Sequence, residues 1–145
     1  MNINYDESIK KNKVKPKYLR NNIRAFVSGG AICLFGQGLL YVYEIFGFEQ
    51  EEGASLMIVT LILIASLLTG FGVFDKIGQW AGAGSLVPVT GFANSMTAAA
   101  LEYKKEGVVL GIATNLFKLA GAVITFGVVS AYILGMARYL WEQFL

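Results

Sequence analysis

The sequence predicts an all-α polytopic membrane protein with about four membrane segments, the third of them broken. Three observations predict it. Charged residues make up 15% of the 145 and apolar ones 55%, whereas a soluble domain carries about 25% charged residues. The uncharged residues gather in four windows, 25–43, 53–74, 77–101 and 119–137, of 19, 22, 25 and 19 residues. A bilayer core about 30 Å thick takes about 20 residues of helix, so each window is long enough to span. The third window, however, carries Gly78, Gly82, Gly84, Pro88 and Gly91. Glycine in a helix interior costs about 1 kcal/mol relative to alanine and proline about 3, so that window is discontinuous or re-entrant. Two regions follow: a basic leader over 1–24 with a disordered tip, and a helical membrane domain over 25–145.

The leader holds Lys10, Lys11, Lys13, Lys15, Lys17, Arg20 and Arg24, opposed only by Asp6 and Glu7. Basic residues beside a span hold that end on the cytoplasmic side, and they attract anionic headgroups. The first span, 25–43, ends in Tyr41, Tyr43, Phe46 and Phe48, an aromatic belt at the far interface. The connection that follows is acidic, with Glu49, Glu51 and Glu52. The second span is apolar all round, which suits a helix shared between lipid and neighbouring helices.

The third window reads as a short helix to about residue 81, an irregular crossing over 82–90, and a helix from Gly91 to about 105. Thr90 is placed to cap that last helix, whose free N–H groups would face an anion. Non-helical backbone survives at membrane depth only when buried in protein or lining a polar cavity, so breaks of this kind point to transport sites. Candidate solute contacts are Gly82, Gly84, Ser85, Pro88, Thr90, Gly91 and Asn94. If the segment crosses, both termini are cytoplasmic, the arrangement favoured here; if it re-enters, they lie on opposite sides.

The last block is divided by Lys118. A lysine at mid-membrane costs about 2.5–3.5 kcal/mol on insertion scales. At an edge it snorkels at little cost, and the 19 uncharged residues after it allow that. Its functional reading is a cation facing an anionic solute or a carboxylate, with Asn115 one turn earlier on the same face. Gly127, Ala131 and Gly135 form a small-residue face for helix packing. Arg138, Tyr139, Trp141 and Glu142 anchor the end at an interface.

Several chemistries are excluded. There is no histidine, which removes imidazole bases and His-ligated metal sites. Cys33 is the single cysteine and reads as a packing residue in the first span. No metal site, cofactor or catalytic residue is expected, so the chain does not read as an enzyme.

The stretch FDKIGQWAGAGSLVPVTGFANSMTAAALEYKKEG at 74–107, with supporting segments at 16–38, 65–79 and 111–121, resembles the SpoVA family of spore-former membrane proteins, of SpoVAC/SpoVAE type. AGAGSLVPVTGFANS is its specific core. The resemblance implies a multipass protein of the inner membrane of the forespore and spore. It implies work with other SpoVA proteins in moving dipicolinic acid and its calcium chelate, inward in sporulation and outward in germination, through a tension-gated channel. It brings no cofactor. The expected partners are membrane lipids, dipicolinate and further SpoVA subunits in a homo- or hetero-oligomer, and not nucleic acid. The competing expectation is a non-conducting scaffold that anchors a soluble substrate-binding partner.

Overall fold

The computed structural model describes residues 17–144, and Lys10, Lys11, Lys13 and Lys15 of the leader lie outside them. Every element among these residues is helical. Helix α1 is Tyr18–Ile45 and α2 is Gln50–Gly70. The third window becomes α3 (Phe74–Ala81), a single turn α4 (Ala83–Leu86) and α5 (Val89–Tyr103). A 3₁₀ turn, Lys104–Glu106, and a π-helical stretch, Val108–Ala113, lead into α6, Thr114–Phe144. Three helices are long and apolar enough to cross a membrane: Tyr18–Ile45, Gln50–Gly70 and Val108–Gln143. The remaining segment, third in chain order, is the broken one. Its longest piece, α5, has 15 residues and reaches only about 22 Å, short of a bilayer core about 30 Å thick.

The boundaries follow from the chain. Helix α1 begins seven residues before the apolar window, so Arg20 and Arg24 lie in its first turns. Four of the breaks carry a glycine with positive φ, Gly47, Gly72, Gly82 and Gly107; the fifth, between α4 and α5, is made at Pro88. Residues with a Cβ avoid positive φ. Glu51 and Glu52 lie in the first turn of α2, where they favour the positive end of the helix dipole.

Helices α1 and α2 pack antiparallel through small residues. Gly36 lies beneath Met57 and Leu61, and Gly53 lies against Leu40 and Tyr43. The Tyr43 hydroxyl meets Thr60 Oγ1 at 2.7 Å, and the Tyr43 and Phe48 rings meet edge to face at 6.2 Å. The expected aromatic belt is thus also a packing feature. The buried core is small: Ala65 of α2, Phe74 of α3 and Ala93 of α5, with Leu68 against them. The broken segment therefore packs on the α1–α2 hairpin. Helix α6 touches α5 and the π-helical stretch at its start, and beyond Gly121 its side chains through Gln143 are exposed. Cys33 lies on an exposed face of α1.

Candidate functional site

The broken segment meets α1 at its tightest contact. Gly84 is buried, and a Cβ there would collide with the Ala25 carbonyl and Ser28 Oγ. Gly29 faces it from α1, leaving just enough room: a Cβ on Gly29 would lie 3.4 Å from the Gly84 carbonyl oxygen. Ser28 Oγ lies 2.8 Å from the Arg24 carbonyl and 3.4 Å from that of Ala81, where α3 ends. Ser85, fully buried, donates to the Gly82 carbonyl at 3.2 Å. Gly84 and Ser85 are therefore close-packing residues at a helix crossing. Gly82 differs: it is exposed, open around its Cα, and holds φ at +57° to turn the chain between α3 and α4.

Helix α5 corrects the expected start at Gly91. It begins at Val89, with an extended Pro88 in the cap position and no side-chain cap. Proline fits there because the first helical positions need no N–H partner. Thr90 lies inside the first turn and is 7% exposed, so it does not cap the helix. Gly91 is buried, and its N–H donates to the Pro88 carbonyl at 2.9 Å. The residues at this helix start where an anion contact was expected, Thr90 and Gly91, are both buried.

Elsewhere, helix hydroxyls bond back to the carbonyl four residues earlier: Thr60 to Leu56, Thr69 to Ala65, and Ser95 to Gly91. For Thr90 that ladder is cut by the Pro88 elbow, and its Oγ1 is buried without a hydrogen-bond partner. It lines a cavity of about 250 Å³ whose other walls are apolar apart from Ser85, including Ile32, Phe35, Leu61 and Leu68. An unsatisfied buried hydroxyl costs about 1–3 kcal/mol. Thr90→Val is therefore expected to raise unfolding stability by about 1 kcal/mol, read from detergent melting curves. A loss of stability would mean that the hydroxyl is engaged in the working protein.

Asn94 faces α2, where Thr69 Oγ1 meets its Oδ1 at 2.8 Å. The structure places Asn115 and Lys118 apart from this cluster. They line a hollow of about 430 Å³ between α5 and α6, with Ser95, Glu102 and Tyr103. Asn115 Nδ2 donates one of its two hydrogens to the Gly111 carbonyl at 2.9 Å, which leaves a second N–H available. Lys118 is exposed and shares the hollow with a carboxylate, Glu102. Of the nine solute candidates, Asn115 and Lys118 line this open hollow, and the other seven lie in the broken segment, packed on α1 and α2 except at the exposed Gly82.

Gly127, Ala131 and Gly135 are exposed, and nothing lies within 4 Å of a Cβ built on either glycine. Their face has no partner among the described residues. Arg138 Nε donates to Glu142 Oε1 at 2.8 Å on the exposed end of α6, a pair of at most about 1 kcal/mol. A third hollow, of about 300 Å³, has Asn21, Asn22, Arg24, Gln79 and Trp80 among its walls. Trp80 went unremarked in the sequence; the available signal was a tryptophan beside glutamine at a helix end.

The description of the SpoVAC/SpoVAEB sporulation membrane proteins matches residues 21–137. Stage V sporulation protein AC of Bacillus subtilis (strain 168) is 57% identical over 143 residues, covering 98% of this chain and 95% of that protein. No solved structure matches the chain. The match runs from the first turn of α1 through α5 and well into α6, so the packed crossing at Gly84 and both polar hollows lie within it. The chain belongs to the SpoVAC/SpoVAEB family of sporulation membrane proteins.

Proposed function

We propose that the chain is a channel-forming subunit that moves dipicolinate, with calcium as its counter-ion, across the inner membrane of the spore. One observation carries this reading beyond family membership: a Gly/Pro-broken segment, uncharged over 77–101, packs on the span-length helices α1 and α2. Broken helices of this kind are the usual material of transport sites. Dipicolinate is a planar dianion, and moving such an ion through hydrocarbon unaided is prohibitive. It needs cations and polar donors along its way. In one subunit these are Lys118 and Asn115 in the α5–α6 hollow. The cavity beside Thr90 is too apolar to carry an anion, so the passage forms between subunits. The exposed small-residue face of α6 supplies a contact for a further SpoVA subunit. The N-terminus lies in the cytoplasm, and membrane tension opens the assembly by enlarging its in-plane area.

The apolar cavity also favours a second reading, in which the crossing is only a packed core and the chain is a scaffold for a soluble binding partner. Reconstitution in liposomes, with dipicolinate as the only permeant anion and a tension ramp, separates the two. The channel reading expects anion current, reduced several-fold by Lys118→Met with insertion unchanged. Absence of current at every tension, with the chain alone or joined by its SpoVA partners, overturns it.

A further inference from the structure

The hollow at the cytoplasmic-charge end of α1 has a chemistry that transport does not require. Arg24 lies half-buried with its guanidinium carbon 5.6 Å from the centroid of the Trp80 ring. Trp80 is on α3, so this contact joins the first turns of α1 to the broken segment. An arginine over an aromatic face at this distance is held by cation–π attraction, and a guanidinium can grip an oxyanion bidentately. The side-chain amides of Asn21, Asn22 and Gln79 line the same hollow of about 300 Å³. None of its lining residues is acidic. Lys17 and Arg20, both exposed, extend the positive field outward along α1 from Arg24. The apolar window begins at residue 25, so the hollow sits at the level where a span meets the headgroups.

We propose that this hollow is a specific site for the headgroup phosphate of an anionic phospholipid. Arg24 grips the phosphate oxygens, and the amides of Asn21, Asn22 and Gln79 donate to the remaining oxygens. The indole of Trp80 holds the guanidinium and forms the wall toward the acyl region. The site differs from the diffuse attraction of a basic leader in having a fixed cation, a fixed wall and a stoichiometry. Its position across α1 and α3 means that the bound lipid ties the start of the first span to the broken segment. The assignment does not depend on what the protein conducts.

The test uses the full chain carrying Trp141→Phe, which leaves Trp80 as the single tryptophan reporter. The protein, in a zwitterionic detergent, is titrated with short-chain phosphatidylglycerol and with phosphatidylcholine. A saturable change in Trp80 emission is expected, with a half-point at least tenfold lower for phosphatidylglycerol. Arg24→Gln should remove that preference. Gln79→Leu, which alters no charge, should weaken phosphatidylglycerol binding about threefold while leaving helicity by circular dichroism intact. Equal response to the two lipids overturns the site, as does an unchanged half-point in both variants. Saturation by free dipicolinate with phosphatidylglycerol silent overturns the lipid assignment and gives the same oxyanion hollow to the solute. These outcomes are independent of current in liposomes, so the site and the channel stand or fall separately.

Discussion

Gly84→Leu is expected to abolish docking of the broken segment on α1, and Gly84→Ala to destabilise the fold by about 3 kcal/mol or more. The reason is what a Cβ meets. At Gly84 it enters the Ala25 carbonyl oxygen and Ser28 Oγ, with the Ala25 carbonyl carbon at 2.9 Å. Overpacking against side chains costs about 1–3 kcal/mol because side chains can move. Here half the obstacle is helix backbone, which moves only if α1 and α4 separate. Alanine also gains about 1 kcal/mol over glycine in helix propensity, too little to reverse the sign. Gly30→Ala is the matched control, because nothing lies within 4 Å of a Cβ at that position in α1. It should be neutral or stabilising by up to about 1 kcal/mol. The comparison is made by denaturant titration in mixed micelles, with helicity as the signal. Equal stability for Gly84→Ala and Gly30→Ala would show that α4 does not rest on α1.

Gly91→Ala is expected to be nearly as damaging, for a local reason. A Cβ at Gly91 would meet the carbonyl oxygen, carbonyl carbon and Cα of Leu86, the last residue of α4. The Pro88 elbow folds α4 back onto the first turn of α5, and only a hydrogen at residue 91 fits beneath it. The substitution opens the elbow and moves Thr90 and Asn94 with it, so the Thr69–Asn94 contact of 2.8 Å is strained as well. A loss of about 2–3 kcal/mol is expected from overpacking. Dipicolinate current should fall with it if the broken segment forms part of the passage. A Gly91→Ala protein of normal stability would mean that α4 and α5 are not folded together at Pro88.

These two glycines also show how much was legible beforehand. Hydropathy marked α1, α2 and α6 because a span is a local property: about 20 uncharged residues suffice. Gly82, Gly84, Pro88 and Gly91 marked the break for the same local reason, since each lowers helix propensity wherever it lies. What they do within the break was not legible. Gly82 turns the chain, Gly84 admits another helix and Gly91 admits its own preceding turn. All three are the same letter in the sequence. The start of α5 was misplaced by two residues because Thr90 and Gly91 look like a cap and a first turn. Pro88, pre-set for a helix start, takes the cap position instead.

The sequence by itself determined that this is an all-helical membrane protein with one Gly/Pro-broken segment, and which family it belongs to. Those conclusions rest on composition, local propensity and a specific motif, none of which needs the chain to be folded. Only the tertiary structure decided that Ser28 and Ala81, 53 residues apart, share one crossing, and that Lys118 sits with Glu102 away from it. It also placed Trp80 beneath Arg24. Pairings of this kind depend on which surfaces can approach closely enough to exclude everything else. At this crossing a single missing Cβ settles the matter, and no window of the sequence contains both sides of the contact.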